Sequence, residues 1–470
     1  MADRFDVVIL GGGNAGYSFA FRAAALGMSV AMVEKDKVGG TCLHRGCIPT
    51  KALLHAADLV DEIKGAGEFG ILTHEPDVDW GKVQGFKESV VARMYRGVSG
   101  LVKKNKVELV EGEGRLTDAK TIIVSTGDGE RTLSAERGVV LAPGSIPREL
   151  PFIESNGNRI HNSDHGLEAK DIPSSVIVVG GNYIGLEFAS MYRSFGVEVQ
   201  VVEMLPKIAP AEDDDISEAL YRVLQKRGIK FHLGVTVTGA QETDQGVEVT
   251  FEKEGENKTL SAERMFVAIG RAPRTEGIGL EEVGVATDRG FITTTSNFKT
   301  SVDGVFAIGD AVFIPDADWP HPQLAHVAFI EGITLAEHIA GQETPPVDYK
   351  NIPHVIYCQP EVASVGLTEG KAKDLGMDVT SKRYPFSANA RALMLGGGQG
   401  FVKTVAEKDG AVVGVHIVGP RASDLISEAM LATTWEAYPS ELAALIHPHP
   451  TLSEVVGETF LELAGKPLHG

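Results

Sequence analysis

Cysteine is scarce in this chain, with three in 470 residues. Three thiols cannot staple a protein of this length, so a disulfide scaffold is excluded. Long apolar runs are missing too: no stretch of about eighteen apolar residues occurs, and no membrane-spanning helix is expected. Basic residues are outnumbered, 44 Lys and Arg against 64 Asp and Glu, for a net charge of −20. That balance argues against nucleic acid and anionic lipid as partners. Low-complexity tracts are absent. The opening residues MADRFDVVIL read as neither a secretory signal nor an Arg-rich transit peptide, so a cytoplasmic location is expected. The chain has only one close cysteine pair, Cys42 and Cys47, with His44 and His55 as poor additional ligands. Zinc needs four ligands and usually a shorter gap, so no metal site is expected.

Glycine, by contrast, is plentiful, at 54 residues. Such a surplus suggests tight turns and close approach of backbone to ligands. Apolar residues at 43 % and charged residues at 23 % make an ordinary globular balance, and the length allows about two to four domains.

The glycines cluster twice in the same setting. FDVVILGGGNAGYSFAFRAAALGMSVAMVEK (5–35) reads as strand, glycine turn, helix, strand. Residues 7–10 form the unbroken apolar run of a strand buried on both faces. Gly27 is a helix stop, and a strand over 29–33 ends at Glu34. SSVIVVGGNYIGLEFASMYRSFGVEVQVVEM (174–204) repeats the layout. Gly11 matches Gly180, Gly16 matches Gly185, Gly27 matches Gly196 and Glu34 matches Glu203, each pair separated by 169 positions as 180 is from 11. Landmarks in register indicate a duplicated nucleotide-binding unit.

In the first unit Gly11 allows the turn, Gly13 lets a pyrophosphate approach the backbone, and Gly16 lets helix and strand pack. Glu34 stands where an acid would accept the hydroxyls of an adenosine ribose. A tight turn that merely needs glycines is the plainer reading, but strand, helix and acid together favour dinucleotide binding. The second unit has Asn182 where the middle glycine is expected. Asn tolerates positive φ, yet its side chain occupies the space that phosphate needs. Glu203 faces an unphosphorylated ribose better than a 2′-phosphate, favouring NAD(H) over NADP(H). A relic fold that binds nothing is the alternative.

Further along, EDDDISEALYRVLQKRGIKF (212–231) reads as an acidic helix start, an amphipathic helix and a strand. Residues 247–270 read as a hairpin returning to a buried strand. A strand over 305–308 ends in Gly309-Asp310. Near residue 348, after the linker AGQETPPVDYKNIP, the pattern becomes that of an antiparallel sheet with helices, hence a separate C-terminal domain.

The cysteine pair sits in GGTCLHRGCIPTK (39–51). Pro49 suits a first helical turn, and Leu53, Leu54, Ala57 and Val60 continue with helical spacing. Cys47 therefore lies at or just before a helix N-terminus, where the dipole favours a thiolate. Gly39 and Gly40 leave Cys42 on a flexible approach. Two buried structural thiols remain possible, but beside a dinucleotide site a redox pair is favoured. A thiol of pKa about 8.5 needs a base to react near neutrality, and histidine at about 6.5 is suitable. His449, in IHPHPTLSEVVGE (446–458), has Glu454 five residues on to orient it, though a lone histidine is more often structural. Cys358 reads as a core thiol.

These motifs, in this order over nearly the whole chain, resemble those of the pyridine nucleotide–disulfide oxidoreductases. GGTCLHRGCIPTK is similar to the family's redox-disulfide signature, HPHPTLSE to its C-terminal His-Glu signature, TSVDGVFAIGD (300–310) to its second flavin motif, and LAHVAFIEG (324–332) to the helix start beneath the flavin. The resemblance implies an α/β fold of two Rossmann-like dinucleotide-binding domains plus a C-terminal α+β dimerisation domain. FAD would bind over 1–150 and 276–347, NAD(H) over 151–275, and the interface would lie in 348–470. It implies that a dihydrolipoyl dithiol is oxidised by NAD⁺ through FAD and a Cys42–Cys47 disulfide. Cys42 would exchange with the substrate and Cys47 would contact the flavin. Lys51 and Glu187 would pair near the flavin's redox nitrogen. His449 with Glu454 would be the acid–base pair, reaching the cysteines of the other subunit of a homodimer. FAD contacts are implied for Gly11, Gly13, Gly16, Glu34, Thr41, Lys51, Gly114, Gly144, Ser145 and Asp310, with Gln323, Leu324, Ala325 and His326 presenting backbone N–H groups. NAD(H) contacts are implied for Gly180, Gly185, Glu187, Glu203 and Gly270. The substrate would be the lipoyl group of a carrier protein or a small dithiol. The alternatives are a related FAD- and NAD(P)H-dependent disulfide reductase or diaphorase, and a flavoprotein subunit with weak nicotinamide turnover. Besides Asn182, two departures stand out: Pro143 replaces the usual threonine in LAPGS, and the segment 311–323, with Trp319, is longer than usual.

Overall fold

The computed structural model describes residues 2–469 apart from 316, 318 and 320. The chain divides into two compact units. One comprises Met1–Ala52, Gly85–Arg148 and Arg271–Tyr349; the other comprises Leu53–Gln84, Glu149–Gly270 and Lys350–Gly470.

In the first unit the strand Asp3–Leu10 lies between the parallel strands Val30–Glu34 and Gly129–Leu141. Glu108–Glu111 and Val305–Ala307 extend the parallel sheet on its two sides. Val7, Val8 and Ile9 are fully buried, which is why this strand is apolar on both faces. The helices Asn14–Ala25 and Ala325–Ile339 cross in close contact. A Cβ on Gly332 would come within 2.2 Å of Ser18 Oγ and 2.6 Å of the Ala15 carbonyl, so only glycine permits the approach. Phe19 fills the core there at 0 % exposure, a burial that contributes about 1.5–3 kcal/mol.

In the second unit the parallel sheet runs Lys230–Leu233, Glu198–Glu203, Ser175–Val179, Arg264–Val267 and Ile160–His161. Its register repeats that of the first unit: Val7 pairs with Val30, and Val176 pairs with Val199. An antiparallel ribbon, Thr236–Thr243, Gly246–Lys253 and Glu256–Ala262, is inserted before Arg264–Val267. Glu254 and Gly255, both at positive φ, turn its second hairpin, as a two-residue turn matched to strand twist requires. The sequence pattern shows that hairpin but not the first strand of the ribbon, whose outer positions are polar. The C-terminal part is an antiparallel sheet of five strands, His354–Ile356, Glu361–Gly366, Val412–Gly419, Phe401–Glu407 and Val379–Pro385, covered by helices that include Ala422–Thr434 and Glu454–Leu463. Val412–Gly419 is buried along its whole length, as a central covered strand must be. The α/β class with two Rossmann-like sheets and a C-terminal α+β part is thus the observed fold. No described helix is long and apolar enough to cross a membrane.

Candidate redox and dinucleotide sites

The two glycine turns are built alike, and their glycines fall into two kinds. Gly11 and Gly180 both have φ of 111°, and a Cβ on either would collide with a carbonyl of the neighbouring strand, Ala142 at 2.1 Å or Ala268 at 2.3 Å. A Cβ on Gly16 or Gly185 would stand 1.9 Å from the carbonyl of Gly11 or Gly180. These glycines are required by the chain's own packing. Gly13 is different: its φ is −71°, open to any residue, and a Cβ there would meet nothing nearer than Gly40 Cα at 3.9 Å. No packing demand explains the bare position. It lies at the N-terminus of a twelve-residue helix, so a phosphate-bearing ligand fits it. Asn182, the matching residue, has φ −109° and ψ −169° against −71° and −170° at Gly13. Positive φ is therefore irrelevant at this position, and the sequence argument about it falls away. Only the side chain differs, and its Oδ1 is buried with no hydrogen-bond partner among the described residues.

Glu34 and Glu203 also act in parallel. Glu34 Oε2 accepts the Gly12 N–H at 2.8 Å, and Glu203 Oε2 accepts the Gly181 N–H at 2.6 Å. Their Oε1 atoms accept Asp36 N–H at 2.9 Å and Leu205 N–H at 2.7 Å. Each carboxylate oxygen keeps a further acceptor site, which suits ribose hydroxyls. Neither acid is available to ribose alone: each also ties down its own turn.

The cysteine segment rests on the first of these turns. The Gly39 N–H donates to the Gly12 carbonyl at 2.8 Å, and a Cβ on Gly40 would press to 2.6 Å from Gly13 Cα. Gly39 and Gly40 have φ of 110° and 59°. Cys42 lies inside the short helix Gly40–Arg45 rather than on a flexible approach: the two left-handed glycines make a sharp entry, and the chain coils at once. Cys47 is the first residue of the helix Cys47–Gly65. Gly46, at φ −147° and ψ −116°, separates the two helices, and this break lets the thiols meet. Both are free thiols, and a hydrogen bond from Cys47 is the main influence that brings Cys42 down to about 7 against burial. The Lys51 ammonium assists. Burial pushes the Tyr17 phenol up to about 12, and the two thiols add to it. Cys358, by contrast, is fully buried and pushed far up by desolvation, so it is inert.

Other expected FAD contacts collect in the same unit. Asp310 Oδ2 accepts the Ser145 hydroxyl at 2.5 Å, and Arg271 Nε donates to Ser145 Oγ at 2.7 Å. Gly144 and Gly309 adopt φ of 75° and 79°. Gly114 lies on the strand Glu113–Asp118, where a Cβ would meet Leu10 Cδ1 at 2.6 Å and Val33 Cγ1 at 2.9 Å, so packing alone demands glycine. Thr41 is partly buried within the short cysteine helix, and Pro143 follows Ala142 at the end of the central sheet. Ala325 and His326 open their helix, whose first N–H groups have no intrahelical partner. Leu324 N–H is used locally, donating to the Pro322 carbonyl at 3.0 Å, and Gln323 reaches the Asp310 carbonyl through Nε2 at 3.0 Å. In the 311–323 segment, positions 316, 318 and 320 lie outside the described residues. Lys51 belongs to the first unit and Glu187 to the second. Glu187 is 4 % exposed, and its Oε1 accepts the Tyr357 N–H at 3.1 Å, so it is no surface acid of the helix Tyr183–Ser194. Gly270, at φ 108°, has open space around a notional Cβ.

In the second unit His449 Nδ1 lies 2.8 Å from Glu454 Oε1, while Glu454 Oε2 accepts the Thr451 N–H at 2.8 Å. Burial works against the Glu454 anion, but that N–H and His449 hold it below the usual range. The His449 side chain is 75 % exposed, leaving the imidazole reachable from outside this unit. A second dyad supports the turn: His447 Nε2 is 2.7 Å from Glu428 Oε1, which raises His447 above its ordinary value. Nothing in the sequence signals Glu428, which lies on Ala422–Thr434, nor Asn14 and Tyr17 beside the thiols. Among the described residues no cluster could hold a metal ion.

Residues 5–332 match the family described as pyridine nucleotide-disulphide oxidoreductase, and residues 352–460 match its dimerisation domain. The chain is 44 % identical to a dihydrolipoyl dehydrogenase of Bacillus subtilis over the full length of both, and 41 % identical to one from Geobacillus stearothermophilus, covering 99 % of this chain and 97 % of the other. Its fold matches the crystal structure of LpdA from Mycobacterium tuberculosis with a TM-score of 0.89 at 28 % identity, covering 98 % of this chain and 100 % of that one.

Proposed function

The chain belongs to the pyridine nucleotide–disulphide oxidoreductases, which use FAD and NAD(H), and from that premise we propose that it is a dihydrolipoyl dehydrogenase. Residues 1–150 and 276–347 hold FAD, 151–275 hold NAD(H), and 348–470 join two copies into a homodimer. One observation carries the reading: the segment that carries the Cys42 and Cys47 thiols is seated directly on the one glycine turn whose middle position is bare for no packing reason.

The chain's own residues then divide the work. His449 of one copy, oriented by Glu454, takes a proton from the dihydrolipoyl dithiol presented to the other. The substrate thiolate attacks Cys42 Sγ of the oxidised pair, breaking the Cys42–Cys47 bond and releasing Cys47 as thiolate. The second substrate thiol closes the lipoyl disulfide and expels Cys42, which leaves carrying that thiol's proton. Lys51 and the N-terminus of the Cys47 helix stabilise the thiolate charge. FAD, when bound, supplies the two-electron link between this thiol pair and NAD⁺. Gly11, Gly13, Gly16 and Glu34 hold its adenosine diphosphate part, and Asp310, Gly144, Ser145, Gly114 and Thr41 its remainder. The start of the helix Ala325–Ile339, at Ala325 and His326, would lie on the side that receives the ring, with Gln323 and Leu324 leading into it. Gly180, Gly185, Glu203 and Gly270 hold NAD(H). The lipoyl group arrives on a carrier protein.

The test is an anaerobic titration. Adding dihydrolipoamide to the purified flavoprotein should reduce the thiol pair and change the flavin spectrum, and NAD⁺ should reverse the change. A flavin that responds to NADH but never to dihydrolipoamide would refute the dithiol assignment.

A further inference from the structure

The long 311–323 segment is not accounted for by this mechanism. Within the first unit its described residues touch the Gly309–Asp310 turn through Gln323 and the helix Ala325–Ile339 through His321. Gln323 Nε2 donates to the Asp310 carbonyl at 3.0 Å. His321 Nε2 lies 2.6 Å from Glu331 Oε1, on the helix Ala325–Ile339. The Glu331 side chain is 0 % exposed and that of His321 2 %. The same carboxylate accepts the Tyr349 hydroxyl at 2.7 Å on Oε1 and the Gly309 N–H at 2.7 Å on Oε2. The His321 and Tyr349 rings pack with centroids 5.5 Å apart. His321 Nδ1 is buried with no hydrogen-bond partner among the described residues.

A wholly buried carboxylate needs donors on every side, since an uncompensated one costs several kcal/mol. Here the donors come from the flavin-motif turn, from Tyr349 and from the long segment. Glu331 is therefore a hub, and His321 is the donor that the 311–323 segment brings to it. We propose that His321 is a positioning residue for FAD: through Glu331 it holds the Gly309–Asp310 turn in the geometry that receives the cofactor. This rests on the reading that the first unit binds FAD.

The titratable groups facing the ring are Glu331 on the helix, Tyr349 beyond it and Asp310 in the turn. Burial opposes protonation of His321, but Glu331 and then Asp310 outweigh it and raise His321 above its ordinary value. A raised folded value means that the charged contact is fully present below the ordinary histidine range and is lost as pH rises through the folded value. FAD should thus be held most tightly at the acid side of neutrality.

The experiment follows FAD release from the holoprotein by flavin fluorescence, between about pH 6 and about pH 9. Wild type should release flavin faster as pH rises. His321→Ala should release it roughly tenfold to a hundredfold faster at the lower pH, the loss expected for one hydrogen bond to a buried charge, and with little pH dependence. His321→Gln, which keeps a donor and cannot titrate, should be intermediate and flat, and it serves if the alanine variant does not fold. Variants that release FAD at the wild-type rate with the wild-type pH profile overturn the proposal alone. Wild-type protein that is colourless and refuses added FAD overturns the FAD reading with it.

Discussion

Replacing Asn182 by glycine separates two reasons for which a dinucleotide turn keeps its middle position small. Backbone freedom is not one of them here, because Asn182 already has the extended, negative-φ geometry of Gly13. Its carbonyl accepts the Leu186 N–H at 2.9 Å, just as that of Gly13 accepts Tyr17 N–H at 2.9 Å. Its side chain makes no capping bond, and its Oδ1 has no partner among the described residues. Deleting it removes an unsatisfied buried acceptor worth about 1–3 kcal/mol. Against this stand a glycine entropy cost of about 0.5–1 kcal/mol and a few tenths from the N-cap. Folding stability should therefore stay level or rise by about 1 kcal/mol. Nicotinamide binding should respond more strongly. If the side chain keeps the pyrophosphate off the helix N–H groups, restoring one such bond is worth about 1.5 kcal/mol, close to tenfold in affinity. The assay is an equilibrium titration with NADH together with its KM in dye reduction, beside thermal denaturation. Unchanged or weaker NADH binding by a variant of unchanged stability would refute the crowding argument.

Three further outcomes follow from the same geometry. Alkylation of Cys42 in reduced protein should titrate near pH 7; a midpoint near the free-thiol value would deny the influence of Cys47 on it. His449→Gln should slow the dithiol half-reaction by about two orders of magnitude or more while sparing flavin reduction by NADH, measured by stopped flow; equal losses in both would remove His449 from its role. Asp58 is raised to about 7 by burial, with the Glu361 and Asp61 carboxylates adding to it. The folded state then keeps a proton that the unfolded chain has lost, so stability falls as pH rises between about 4 and about 7. Asp58→Asn should raise Tm above pH 7 and leave it nearly unchanged in acid; no gain at the higher pH would contradict the assignment.

The repeated units are legible in the sequence because their landmarks are steric. Gly11, Gly16, Gly180 and Gly185 each face a carbonyl that no Cβ could clear, so the residue type reports the fold. The apolar runs report sheets covered on both faces for the same kind of reason. What pairs across long sequence distances is not legible. Glu428 beside His447 and Glu331 beside His321 look like ordinary helical acids, and only the folded chain shows that each is a histidine's partner. Cys42 is a third case. Two glycines before it suggest mobility, but their positive φ values start a helix instead.

The central claim is that a thiol pair and a flavin share one redox centre, and an anaerobic dithionite titration of the holoprotein tests it most directly. Uptake of one two-electron equivalent by the flavin and a second by the Cys42–Cys47 disulfide is expected, with the second missing in Cys42→Ser. Uptake by the flavin alone in the wild-type protein would contradict it.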